Sequence, residues 1–442
     1  MCVSKTSNKL GCAPSFLLLD FVSLGDFLKI QQHRERERTS KTIKKLGQDL
    51  SGGERAEMVL RQRSAAGHDG GVRRKALRKW SGVERRGRRV VRAACVVRPR
   101  VAIAGVTGAV GQEFLQVLEE RNFPYAEMKM LASARSAGQK VDFDGKEYTV
   151  EELNEASFKD VDIALFSAGG SISKKFAPAA VDAGAIVIDN SSAFRMDPEC
   201  PLVIPEVNGA AATERFSLND KGAGGIIANP NCSTILCLMA VTPLHRQKVV
   251  KRMVVSTYQA ASGAGAAAMQ ELETQTKEVL AGEPPTTTIF GRQYAFNIFS
   301  HNSGVDMETG YNEEEMKMVK ETRKIWGNDD VRVTATCIRV PVMRAHAESI
   351  NLELEHPVTI EEAKTFLEDF PGVSVIDDRA ANEFPTPLQA SFKDDIYVGR
   401  LRHDVSQEGN KGLDLFICGD QIRKGAALNA VQIAELLVDA AS

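Results

Sequence analysis

The chain is 442 residues long, 43% hydrophobic and 26% charged, which at about 100 to 200 residues per domain leaves room for two domains and an extension, and excludes a fibrous protein. Its formal net charge of -2 gives no global attraction for nucleic acid. The apolar stretch from Pro14 to Leu28 is broken by Asp20 and Asp26, where a spanning helix needs about 20 nearly uninterrupted apolar residues.

Residues 1–98 show poor hydrophobic periodicity and an alternating Arg/Glu run at 33–38. Thirteen arginines fall between residues 55 and 100 against three carboxylates, Glu57, Asp69 and Glu84. Such a segment cannot bury enough apolar surface to offset the entropy of ordering it, so a disordered extension is expected. Its Arg-rich, acid-poor second half has the composition of an organelle transit peptide, and Val91–Cys95 looks like a plastid processing site. That reading places the protein in a chloroplast or other plastid, and otherwise in the cytoplasm. The alternatives are a solvated tail or a wrongly extended reading frame. A nucleic-acid-binding arm would need interleaved aromatics, and only Trp80 is available there.

From Arg100 the pattern changes to short apolar runs alternating with helical ones: VAIAGV, TGAVGQEFLQVLEE, MKMLASA, VDIALFSAGG, AIVIDNSS. Alternation of this kind predicts a Rossmann-type, doubly wound parallel sheet, assigned to 99–231. Longer strands follow, at Lys251–Tyr258 and Val331–Cys337, so 232–419 reads as a mixed α+β domain. A last helix, from about Gln421 to Ala440, lies in 420–442 and is expected to pack back on the first domain.

Gly105, Gly108 and Gly111 sit between an apolar strand, Val101–Ala104, and a helix with apolar positions at Phe114, Leu115, Val117 and Leu118. Glycine lets the backbone turn tightly and approach a pyrophosphate, while the helix opening at Ala109 and Val110 presents free N–H groups and the positive end of its dipole. Thr107 adds a hydroxyl. Dinucleotides with a free ribose 2′-hydroxyl usually meet a carboxylate about 20 residues downstream; this chain offers Ser133, Arg135 and Ser136 instead, which suit a 2′-phosphate and hence NADP. The competing readings are glycines needed for packing alone and a solvated loop arginine.

The stretch ANPNCSTI, 228–235, places Cys232 directly after Asn231, a favoured helix cap, and before the apolar Ile235, Leu236, Leu238 and Met239. A thiol's pKa falls at a helix N-terminus and beside a histidine, and the same N–H groups could hold an oxyanion. His346, in RVPVMRAHAE between two strands, is the candidate base, with His301 next. The eight cysteines include no Cys-x-x-Cys pair and no zinc spacing, so no metal is expected and reduced thiols are.

GVTGAVGQ, ASARSAG, DNSSAFRMD, IPEVN, ANPNCSTI, YQAASGAG, EEEMKMVKET, RVPVMRAHAES and GDQIRKGAALNAVQIAEL together resemble the aspartate-β-semialdehyde dehydrogenase family, in family order from about Arg100 to the C terminus. The resemblance implies reduction of L-4-aspartyl phosphate by NADPH to aspartate semialdehyde, with release of phosphate, in a step serving lysine, threonine, methionine and isoleucine biosynthesis. It implies Cys232 as the thioester-forming nucleophile, and His346 as the group that takes the thiol proton and later returns one. Gln259 then orients the acyl group, beside Asn231. Arg195 and Lys317 would hold phosphate, Glu314 the substrate ammonium, and Arg339 the α-carboxylate. Ser262, Gly263 and Gln421 match positions near the nicotinamide. The family implies a homodimer or homotetramer acting on a small molecule, the second domain serving dimerisation, with no nucleic-acid or membrane partner. The rival enzyme is N-acetyl-γ-glutamyl-phosphate reductase, which needs no pocket for a free ammonium. A non-catalytic NADP-sensing or nucleic-acid-binding protein is the rival of another class.

Overall fold

The computed structural model describes residues 96–220 and 222–442. The extension expected over 1–98, with its processing site at Val91–Cys95, lies outside the described residues apart from its last three. The first sheet comes from β1 (Arg100–Ala104), β2 (Glu127–Ala132), a separate hairpin of β3 (Lys140–Phe143) and β4 (Lys146–Thr149), then β5 (Glu151–Glu152), β6 (Ile163–Phe166), β7 (Ile186–Asp189) and β8 (Gly225–Ala228). All but the hairpin pair in parallel in the order β5-β2-β1-β6-β7-β8. The order reverses between β1 and β6, and ligands of such sheets bind in the crevice at that point.

Strands β6 and β7 are buried throughout, and β1 is buried after its first residue, because helices cover both faces. One face packs on α1 (Ala109–Glu120), which buries Phe114, Val117 and Leu118, and on the C-terminal helix Leu428–Ala441 through Val431, Ile433 and Leu437. Each such side chain contributes about 1.5–3 kcal/mol relative to an exposed one. Helix α2 (Gly170–Asp182) covers the other face through Phe176, Ala177 and Ala180.

Helix α3 (Cys232–Lys248) leaves the first sheet for the second and is buried without a break from Ser233 to Leu244, as a helix apolar on every side must be. It packs on one face of a sheet made of β9 (Val250–Gln259), β10 (Phe299–Ser300), β11 (Arg332–Arg339), β12 (His346–Leu354), β13 (Val373–Val375), β14 (Ile396–His403) and β15 (Gly412–Gly419). The order is β10-β11-β9-β12-β15-β14-β13, with parallel and antiparallel pairs mixed. Its register matters most for function. Gln259 pairs with Arg339, Tyr258 with Ala347, and His346 with Gly419, so four strand ends meet beside the first turn of α3.

Two boundaries differ from the sequence reading. His346 opens β12 rather than lying between two strands, because His346–Glu348 already pair with β15. The last helix begins with a wide turn at Arg423–Ala427, where Gly425 N–H bonds Asp420 O and Ala427 N–H bonds Ile422 O. Buried Lys424 holds that turn, donating to Glu206 Oε2 at 2.6 Å and Gln432 Oε1 at 2.7 Å. Helix α4 (Glu313–Trp326) is closed at its start by a capping box between Asn312 and Glu315 and at its end by Gly327 with φ 59°. Among the described residues no helix is long and apolar enough to cross a membrane.

Candidate active site

The glycine turn after β1 joins the strand to α1, and each glycine contributes to it differently. Gly105 has φ +92°, and a Cβ there would lie 2.3 Å from Ser167 O. A Cβ on Gly111 would lie 2.2 Å from Gly105 O, so Gly111 sets how closely α1 approaches the turn, while Gly108 caps the helix with little near it. The N–H groups of Gly105 and Val106 are taken by Leu131 O at 2.8 and 3.2 Å; those opening α1 at Ala109 and Val110 have no intrahelical partner. The Thr107 hydroxyl donates to Ser136 Oγ at 3.5 Å, joining this turn to the loop after β2. Ser133 and Arg135 in that loop are exposed. An open cradle with a free arginine and no carboxylate fits a dinucleotide carrying a 2′-phosphate.

Cys232 opens α3 with its Sγ 3.7 Å from His346 Nε2. Asn231 caps the helix, its Oδ1 accepting from the N–H groups of Ser233 and Thr234 at 3.0 and 3.3 Å. The Ser233 and Thr234 amides are therefore engaged, which narrows the expected oxyanion donors of this helix start to the Cys232 N–H. The expected low thiol pKa is also reversed in the free protein: burial first, and then the Glu314 carboxylate, push Cys232 up to about 12, against Arg195, Arg339 and the Ser233 amide. Burial, with Arg339 adding to it, pushes His346 down to about 3. Thiol and imidazole both rest neutral.

Ala260 N–H donates to His346 Nδ1 at 3.1 Å. A ring nitrogen that accepts cannot carry the proton, so the neutral ring carries it on Nε2, facing the sulfur. His346 thus stands as a donor toward a thiolate or an oxyanion. Taking the thiol proton at Nε2 requires the other tautomer, and so loses the Ala260 bond, at a cost of about 1–3 kcal/mol for the buried N–H left over.

The remaining expected residues share one cavity of about 330 Å³, lined by Arg195, Asn231, Cys232, Gln259, Gly263, Glu314, Lys317, Arg339, His346 and Gln421, with Val110 from the glycine turn. Glu314 is 4% exposed; its Oε1 accepts from Asn231 Nδ2 and Gln259 Nε2, and its Oε2 from Lys317 Nζ at 2.8 Å. Burial works to raise this carboxyl, yet Lys317, His301 and Asn231 outweigh it and hold Glu314 well below the usual range. The expected phosphate and ammonium partners are therefore paired with each other in the free protein. Arg195 is held by Asn229 O, Asn190 O and Glu321. Arg339 donates through Nε to Asn302 Oδ1 and through Nη1 to Ala260 O, both at 3.1 Å, which leaves Nη2 without a protein partner among the described residues. Ser262 stands behind the cavity, donating to Arg344 O and accepting from Gln421 Nε2 at 2.9 Å. Its hydroxyl is engaged, so its contribution is to fix Gln421.

Glu321, Asn302 and Gly425 were missed from sequence. Glu321 follows Lys317 by four residues on the stripe of α4 that carries Glu314, a spacing that could have exposed it. Its Oε2 also accepts from Asn231 N–H at 2.6 Å. A Cβ on Gly425 would lie 2.9 Å from the Cβ of Cys232, a closeness that only the folded chain reveals. No group of His, Cys, Asp and Glu among the described residues could hold a metal.

Comparison with known proteins agrees from residue 100 on. The model described as the semialdehyde dehydrogenase NAD binding domain matches residues 100–215, and that of the semialdehyde dehydrogenase dimerisation domain matches 241–424. An aspartate-semialdehyde dehydrogenase of Synechocystis sp. is 54% identical over 340 residues, 77% of this chain and 97% of its own. That of Aquifex aeolicus is 53% identical over 341 residues, 77% and 98%. The solved aspartate semialdehyde dehydrogenase II of Vibrio cholerae, complexed with ASA, superposes with a TM-score of 0.73 at 45% identity, covering 78% of this chain and 99% of that one.

Proposed function

This chain belongs to the aspartate-semialdehyde dehydrogenase family, and from that premise we propose that it reduces L-4-aspartyl phosphate to L-aspartate 4-semialdehyde, releasing phosphate, through a thioester on Cys232. The observation that carries the reading is the meeting of Cys232 and His346, 3.7 Å apart, with a buried carboxylate and three cations in one cavity. The substrate offers a carboxylate, an ammonium and a phosphoryl group. Arg339, with Nη2 open, takes the carboxylate; Glu314 exchanges Lys317 for the ammonium; Lys317, with Arg195, turns to the phosphoryl oxygens.

Cys232 Sγ bonds to the acyl carbon as the carbon–oxygen bond to phosphate breaks, and the sulfhydryl proton leaves with the phosphate. Bound NADPH supplies the hydride that reduces the thioester carbon. His346 Nε2–H faces the oxyanion that forms next to the sulfur, the donor role left open by the capped amides of α3. When the carbon–sulfur bond breaks, the electron pair returns to Sγ, and a proton delivered through His346 restores the thiol. The cofactor is NADP rather than NAD because Arg135, Ser133 and Ser136 stand where a carboxylate would otherwise meet a free 2′-hydroxyl.

Purified protein assayed with aspartate semialdehyde, phosphate and NADP, and in parallel with the N-acetylated glutamate analogue, tests the reaction. Activity confined to the acetylated substrate would overturn it, and the buried Glu314 speaks for the free ammonium. The finer expectations belong to the same proposal. The product feeds lysine, threonine, methionine and isoleucine biosynthesis; the match to a dimerisation domain over 241–424 supports a homodimer or homotetramer; and the Arg-rich, acid-poor composition up to residue 98 supports plastid import. N-terminal mass spectrometry of native protein and light scattering check the last two.

A further inference from the structure

His301 was the second histidine that the sequence singled out, and the reaction as derived leaves it without a task. It directly follows β10, whose Phe299 pairs with Arg339, and its own N–H bonds Cys337 O at 2.9 Å. Its ring lines the catalytic cavity. Ser303 N–H donates to His301 Nδ1 at 3.2 Å, so the neutral ring carries its proton on Nε2, by the same logic that fixes His346. That Nε2 has no protein partner among the described residues. A donor anchored at its back, and open at its front into a substrate cavity, is arranged for a ligand rather than for the fold.

The chain neighbours of His301 show which end of the ligand it meets. Asn302, the next residue, accepts from Arg339 Nε, and Ser303 Oγ accepts from Glu314 N–H at 3.3 Å. Residues 301–303 therefore brace the guanidinium that clamps the carboxylate and the helix start that carries the ammonium's partner. Burial first, then Arg339, holds His301 down to about 4, so it acts as a neutral donor in neutral solution. Arg339 has one free nitrogen, Nη2, and a carboxylate has two oxygens.

We propose that His301 is a further substrate-binding residue, donating from Nε2 to the α-carboxylate of the amino-acid substrate alongside Arg339. This rests on the reaction proposed above. A hydrogen bond to a charged group is worth about tenfold to a hundredfold in affinity.

Steady-state kinetics of the full chain with aspartate semialdehyde, phosphate and NADP test it, with activity of the unaltered enzyme as the separate check on the reaction itself. His301→Ala is expected to raise KM for the semialdehyde by about tenfold or more, while KM for NADP and kcat stay within about threefold. His301→Gln, which keeps a side-chain N–H, is expected to recover much of the loss. Binding of the semialdehyde to Cys232→Ala enzyme, with and without His301→Ala, reads the same contact free of turnover. An unchanged KM, a loss confined to kcat, or a His301→Gln enzyme as impaired as His301→Ala would each overturn the proposal.

Discussion

Cys232 shows two physical tendencies in opposition. The first turn of a helix lowers a thiol's pKa, but here the cap on Asn231 has already engaged the amides of Ser233 and Thr234, and burial beside Glu314 raises the thiol to about 12. Under the proposed reaction, nucleophilicity then depends on the arriving substrate, whose ammonium would neutralise Glu314 and whose phosphate would carry off the proton. Cys232→Ala is expected to abolish turnover and leave NADP affinity nearly intact, since the glycine turn lies on another element; a parallel fall in cofactor affinity, measured by fluorescence titration, would contradict the assignment. Arg135→Ala is expected to weaken NADP by roughly tenfold and NAD hardly at all, as loss of one charge-assisted contact predicts. Equal losses on both cofactors would remove the 2′-phosphate from its side chain.

At the scale of elements, the wide turn at Arg423–Ala427 is the least conspicuous part of the site. It carries Gly425 against the Cβ of Cys232 and is anchored from behind by Lys424 on Glu206. Gly425→Ala is expected to cut kcat at least tenfold by displacing the sulfur from His346, with thermal stability little changed; full activity would show that the close approach has no consequence. This turn also marks where the sequence stops being readable. Cys232, Asn231 and the glycine turn could be seen because each is a local pattern: a cap before a helix, or a strand, glycines and a helix. Glu314 and Lys317 share a helix face and could be paired by spacing. Asn302 behind Arg339, Ala260 behind His346 and Gly425 against Cys232 could not, because each relation joins positions far apart in sequence through backbone geometry that exists only once the strand ends have met. The engagement of the Ser233 and Thr234 amides is a different case, because it joins residues two and three positions apart and follows from the Asn231 cap that the sequence itself shows.

For the molecule as a whole, buried histidines contribute to the response to acid. His346 and His301 are held to about 3 and about 4 in the folded protein, both by burial first, against 6.5 in an unfolded chain. Between about pH 6.5 and 4 the unfolded chain therefore binds more protons, and stability falls as pH falls, by at most about 1.4 kcal/mol per pH unit for each ring. Denaturant unfolding at pH 7, 6 and 5 should show that decline, and the double substitution of both histidines by glutamine should lessen it, the remainder including His245, which burial also lowers. A wild-type protein equally stable at all three values would contradict the burial of these rings. A long-range tie joins the cofactor and catalytic parts: Arg344, two residues before His346, bonds Glu113 of α1 at 2.7 Å and Asp420 at 2.5 Å.

The helix Leu428–Ala441 completes a core that begins at Val101, and this has a consequence for the order in which the protein can form. While the ribosome is still making the chain, the nucleotide-binding sheet emerges before the second sheet, with one greasy side only partly covered by α1. The segment that seals it is made only after every strand of the second sheet, so that half of the enzyme must wait, shielded or loosely collapsed, until those later turns have followed it out.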